Sequence, residues 1–101
     1  DNLKPILEKL KIKMLLRIKA NVTFKTNEIR IYKYHTDFET SGRTSIFYLH
    51  TTNGPTVFKD GQKVDCVENR MLTFPTNMLH SGSTHTDSLL RGVINFNWVK
   101  V

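Results

Sequence analysis

Thr56-Val-Phe-Lys-Asp-Gly-Gln-Lys-Val-Asp-Cys-Val67 reads as a β-hairpin. Runs rich in apolar and β-branched residues flank Asp60-Gly61. Asp-Gly supplies the positive φ that a tight hairpin turn needs. The same signals recur outward from it. Upstream, Thr44 to Thr51 is β-rich, Ile29-Arg-Ile-Tyr-Lys-Tyr34 alternates, and Met14 to Phe24 is apolar and β-prone. Downstream come Arg70 to Phe74, a short piece around Leu79-His80, and Leu90 to Val101, with Asn-Gly and Ser-Gly turns punctuating the series. Pro5 to about Leu10 is the helical expectation, with Asn2 available as its cap. Short strands at this spacing predict an all-β sandwich or barrel. There are no internal repeats and no low-complexity stretches.

The chain has 101 residues, enough for one domain and no more. At 39% hydrophobic and 24% charged residues it has the balance of a globular domain, and no apolar run is long enough to span a membrane. Its start, Asp1-Asn-Leu-Lys-Pro-Ile6, lacks the apolar core of a signal peptide and an initiator methionine, so the expectation allows for a segment preceding Asp1. Cys66 is alone, which excludes an internal disulfide and fits a reducing, cytoplasmic setting. The net charge is +6, and much of the excess lies in Lys4, Lys9, Lys11, Lys13, Arg17, Lys19 and Lys25. A solvated basic face accounts for it, as would a landing site for an anionic partner.

His35-Thr-Asp37 sets an imidazole and a carboxylate two positions apart. In an extended strand such side chains share a face, with roots about 6.6 Å apart, a span that suits two ligands closing on one cation. Alone, the pair reads as a strand-end His and an exposed turn Asp. With His80 from another strand it becomes two histidines and one carboxylate, the donor set of non-haem Fe(II) oxygenases. Arg91 follows and opens the apolar run Gly92-Val-Ile-Asn-Phe-Asn-Trp98. A cation buried there without a partner is costly, and a guanidinium can fork onto a carboxylate. His50 and His85 read as non-ligating, His85 within the polar turn Ser83 to Ser88. Ser81 and Ser83 belong to no Gly-x-Ser-x-Gly elbow, so a serine hydrolase is not indicated.

Together, His35-Thr-Asp-Phe38, Ile46-Phe-Tyr-Leu-His50 running into Asn53-Gly-Pro-Thr-Val-Phe58, Met78-Leu-His-Ser-Gly82 and Arg91-Gly-Val-Ile-Asn95 resemble the Fe(II)/2-oxoglutarate-dependent dioxygenases. The likeness is to their prolyl-4-hydroxylase-like branch, in the short forms found in phages and marine bacteria. It implies a double-stranded β-helix, a small jelly roll. It implies Fe(II) held by His35, Asp37 and His80, with 2-oxoglutarate and O2 as co-substrates. Arg91 would pair with the distal carboxylate of 2-oxoglutarate, Tyr48 would donate its hydroxyl to the same carboxylate, and Asn95, in phase with Arg91, would line the pocket. Tyr32 and Tyr34 flank the metal strand. The implied activity is hydroxylation of a prolyl or other residue in a peptide or protein, in the cytoplasm of a bacterium or phage-infected host.

Other classes stand beside this one. The basic face favours an oxygenase acting on a nucleobase or small molecule. A cupin-like metal-binding module without activity needs no buried Arg91. A nucleic-acid-binding β-domain would show steep salt dependence. Strand alternation also sets Ile94, Phe96 and Trp98 opposite Arg91, facing outward. That apolar row predicts cover by a missing segment or a second chain, as in a homodimer; the weaker expectation is that residues 3–10 and 14–24 fold back over it.

Overall fold

A computed structural model describes residues 3–9, 12–37 and 42–100. In chain order these form α1 (Lys4–Lys9), β1 (Ile12–Phe24), β2 (Arg43–Tyr48), β3 (Thr52–Phe58), β4 (Lys63–Cys66), β5 (Met71–Pro75), β6 (His80–Ser81) and β7 (Leu90–Lys100). The expected hairpin is β3–β4. Its turn closes through Phe58 N–H on the Gln62 carbonyl, and Gly61 sits at φ +98°, a region that only glycine enters freely.

The strands form two antiparallel sheets, in the orders β1-β7-β2-β5 and β4-β3-β6. Ile46, Tyr48, Phe74 and Val93 from the first meet Phe58 and Cys66 from the second in one core. The Phe58 and Phe74 rings cross the gap edge to face, 5.0 Å apart. Two facing sheets with an apolar filling and little helix make a small β-sandwich of the jelly-roll type.

Two expectations need correction. Ile29 to Tyr34 is not a continuous strand. The chain from Ile31 to His35 instead runs beside residues 80–83 and touches them through isolated bridges, Ile31 to Ser83 and His35 to His80. Arg30 N–H donates to the Thr84 hydroxyl (2.7 Å), so a side chain has taken a ladder position. The outer face of β7 is also largely covered within this chain, with Ile94 half-buried. Phe96 is fully buried and Trp98 is 4% exposed within this chain. Trp98 lies opposite Arg43 on β2, and its Nε1–H donates to Ser45 Oγ (2.9 Å), which is also bonded to Thr73 Oγ1 (2.8 Å). Ile6 of α1 shares a hollow with Phe47 and Met71 on the same side, while β1 lies beside β7 as an edge strand.

Candidate metal centre

The isolated bridge sets His35 directly across from His80, with ring centroids 4.5 Å apart. Each ring turns its Nδ1 to the carbonyl two residues back: His35 to Lys33 (3.2 Å) and His80 to Met78 (2.8 Å). A carbonyl only accepts, so a neutral ring here keeps its proton on Nδ1 and presents a lone pair at Nε2. Both Nε2 atoms face one oxygen, Asp37 Oδ1, at 3.6 Å from His35 and 3.5 Å from His80. Two lone pairs confronting a carboxylate repel one another unless a cation, a proton or a metal, lies between them.

Asp37 reaches this point through a bend, its N–H donating to the Thr76 carbonyl (3.2 Å), rather than by strand alternation. Its second oxygen is held from behind. Thr44 Oγ1 (2.7 Å) and Asn97 Nδ2 (2.9 Å) both donate to Oδ2. Thr44 on β2 and Asn97 on β7 are direct cross-strand partners, and Asn97 Nδ2 also donates to Thr44 Oγ1 (2.9 Å). Arg17 Nε donates in turn to Asn97 Oδ1 (3.1 Å). Burial works to raise the Asp37 pKa. The hydrogen bonds from His80, Thr44 and Asn97 outweigh it and hold the carboxyl well below the usual carboxylate range. Burial works to lower that of His80, but Asp37 and the Met78 carbonyl stabilise the imidazolium and raise it.

The ligand atoms of His35, Asp37 and His80 lie within 4.8 Å of one another. For ligand bonds near 2.1 Å, adjacent facial ligands sit roughly 3 Å apart, so modest side-chain rotation closes the set on an ion. The His80 and Asp37 side chains are 5% and 8% exposed and that of His35 is 53%, so the group is anchored inside and open on one side. Two imidazoles oriented by backbone carbonyls, plus a carboxylate with one free oxygen, fit a divalent transition metal.

A cavity of about 270 Å³ adjoins this group, and His35, His80, Thr56, Arg91 and Asn95 help line it. Arg91 is buried, with Nε directed to Cys66 Sγ (3.4 Å). Among the described residues no carboxylate lies within ion-pairing distance of its guanidinium. Tyr48 differs from expectation. It is fully buried beneath Arg91, whose guanidinium lies 5.8 Å from its ring centroid, and its hydroxyl is bonded to Thr56 Oγ1 (2.7 Å). Thr56 thus stands at the wall where the resemblance implied Tyr48. Burial raises the Tyr48 pKa, against the opposing effects of Thr56 and Arg91.

His50 and His85 lie outside the triad. His50 Nδ1 accepts from Gly92 N–H (2.9 Å), tying the end of β2 to β7. His85 does not ride on an exposed turn: it is fully buried, and neither ring nitrogen has a partner among the described residues. Tyr32 lines the cavity, and Tyr34 stacks under Lys59 Nζ at 5.0 Å. Thr44, Thr56 and Asn97 belong to the site although no motif marks them. The usable signal was phase, since Asn97 alternates with Arg91 and Asn95, and Thr44 with Tyr48.

No family model and no curated protein matches the chain. Solved structures do. An RmlC-like cupin protein from Desulfovibrio desulfuricans superposes with a TM-score of 0.55 at 15% identity, covering 84% of this chain and 85% of that one. The fold is cupin-like. A protein from Neisseria meningitidis superposes with a TM-score of 0.59, also at 15% identity, covering 97% of this chain and 96% of its own. At that identity the likeness carries the architecture alone. The His-Asp-His cluster on such a jelly roll fits a metal-binding module. Among the described residues no helix is long and apolar enough to cross a membrane.

Proposed function

We propose that the protein is an Fe(II)- and 2-oxoglutarate-dependent dioxygenase that hydroxylates a residue, prolyl or other, of a peptide or protein. One observation carries this reading: Arg91 is buried, without an acidic partner among the described residues, in the wall of the cavity that adjoins His35, Asp37 and His80. A buried guanidinium that lacks a counter-ion calls for an anion, and a fork onto a carboxylate is its strongest neutralising contact. A metal module without a co-substrate has no use for it. His35, Asp37 and His80 would hold the iron, with the open side at His35 left to ligands. Arg91 would bind the far carboxylate of 2-oxoglutarate, supported from below by Tyr48 and Cys66, and Thr56 would offer its hydroxyl. Asn95 would line the same wall. When bound, iron with 2-oxoglutarate and O2 supplies the oxidising equivalents for inserting oxygen into a C–H bond, releasing succinate and CO2. The chain's own part is to hold the ligands, orient the co-substrate and limit water.

Anaerobic titration with Fe(II) and 2-oxoglutarate tests the site: a weak visible charge-transfer band should appear, and its absence would sink the reading. Arg91→Ala should weaken 2-oxoglutarate binding by about 1.5–3 kcal/mol, or roughly tenfold or more, while metal affinity stays nearly intact. The cupin-like architecture also supports a metal-binding module without oxygenase activity, which would yield the metal site and no succinate.

A further inference from the structure

We propose that the primary substrate is an acidic peptide segment, and that it docks on the cavity-facing side of the β1–β7 ladder through Lys19, Thr23 and Asn95. The inference rests on the oxygenase reading for what happens after docking, but not for the docking itself. The register pairs Thr23 with Arg91, Asn21 with Val93 and Lys19 with Asn95. Directly opposed residues share a face of an antiparallel pair. Lys19, Asn21 and Thr23 therefore stand on the same side as Arg91, and Asn21 and Thr23 line the cavity with Asn95.

Two atoms in this wall, Thr23 Oγ1 and Asn95 Oδ1, are buried and have no hydrogen-bond partner among the described residues. Buried polar atoms are almost always satisfied, so these two mark where a ligand supplies the missing partners. An amide oxygen only accepts and requires an N–H or O–H. A peptide backbone presents N–H groups at every residue except proline. A phosphodiester backbone presents acceptors only, so a nucleic acid would have to turn a base edge into the wall to supply the donor. The orphan acceptor thus favours a peptide over a nucleic acid, even though the chain carries a net charge of +6.

Charge selects the kind of peptide. Lys19 is exposed beside Asn95 and has no ion pair among the described residues. With Arg91 taken up by the co-substrate, Lys19 is the cation left to a peptide on this face, and the cavity wall holds no carboxylate that would repel an acidic one. Access is open as well: β1 is the last strand of its sheet, so an extended chain can approach along it.

Fluorescence anisotropy on the full chain tests this, with and without Mn(II) plus 2-oxoglutarate. The probes are short labelled peptides of alternating Ser and Glu, the same peptides with Lys for Glu, and a single-stranded thymidine oligonucleotide. The acidic peptide should bind at least about tenfold tighter than the basic one. Lys19→Glu should erase that preference. Asn95→Leu, and the nearly isosteric Thr23→Val should the first not fold, should each weaken acidic-peptide binding several-fold. Equal affinity for both peptides, tighter binding of the oligonucleotide, no binding of any probe in either state, or indifference to the Asn95 and Thr23 changes would overturn the proposal. A missing iron charge-transfer band with acidic-peptide binding retained would remove the oxygenase reading and leave this surface standing; the reverse result would remove this surface alone.

Discussion

Asp37 divides its labour between two oxygens. Oδ2 is fixed by Thr44 and Asn97, which leaves Oδ1 as the atom offered to a cation. Asn97→Ala removes one of those donors without touching a ligand. Loss of such an orienting contact typically costs 10–100-fold in metal affinity, and Mn(II) calorimetry should show a loss of about that size. Protonation sets the pH dependence. The folded pKa of His80 is raised, so in the metal-free protein its ion pair contributes stability fully below the unfolded value, about 6.5, and loses it as pH rises through the folded value. The folded pKa of Asp37 is depressed, so its contribution is present above about 3.9 and disappears as pH falls through the lower folded value. A metal needs the unprotonated His80 Nε2. Mn(II) affinity should therefore fall about tenfold per pH unit once pH drops below the raised His80 value, and a flat profile between neutrality and pH 5 would contradict the ligand assignment.

At the scale of elements, β3 depends on a close approach that no other residue type allows. A Cβ on Gly54 would lie 2.6 Å from the Thr84 carbonyl oxygen and 3.1 Å from His85 Cβ. The first of these is backbone and cannot swing away. Gly54→Ala should push β3 off the Thr84–His85 segment and destabilise the fold by about 1–3 kcal/mol, the usual cost of overpacking, read as a lower urea midpoint at unchanged slope. That segment also receives Arg30 N–H on Thr84 Oγ1 and Thr26 N–H on the His85 carbonyl. It therefore transmits the position of β3 to the approach of His35. Gly54→Ala should for that reason also weaken Mn(II) binding, although Gly54 lies outside the triad.

At the scale of the molecule, the buried outer face of β7 makes Trp98 a reporter, because the chain has one tryptophan. Its indole is 4% exposed and hydrogen-bonded to Ser45. Iodide quenching should be weak and should not change as the protein is diluted in an ultracentrifuge-matched series. Quenching that rises on dilution would mean that a second chain supplies the cover. Metal loading should stabilise the whole domain by mass action, since the triad joins the segment around His35 to β6. At a hundredfold excess over Kd the gain is about 2.7 kcal/mol, enough to raise the melting temperature of a domain this size by roughly 10 °C or more.

The strands other than Ile29 to Tyr34 and the Asp60-Gly61 turn are legible in the chain because they follow from local rules, alternation and turn chemistry, whereas His35, Asp37, His80 and Arg91 stand out through the resemblance of four ordered segments and the rarity of a cation opening an apolar strand. What local rules do not contain is register. Thr44 and Asn97 meet on Asp37 only because β2 and β7 pair across a separation of 53 residues. Tyr48 is sealed behind Thr56 because β3 of the second sheet closes over it, so an in-phase tyrosine became a support rather than a wall. His85 went inside, and Phe96 and Trp98 were buried within this chain, for the same reason. Burial belongs to the packing of sheets distant in sequence, and a chain of alternating residues specifies which side chains share a face without specifying what that face will meet.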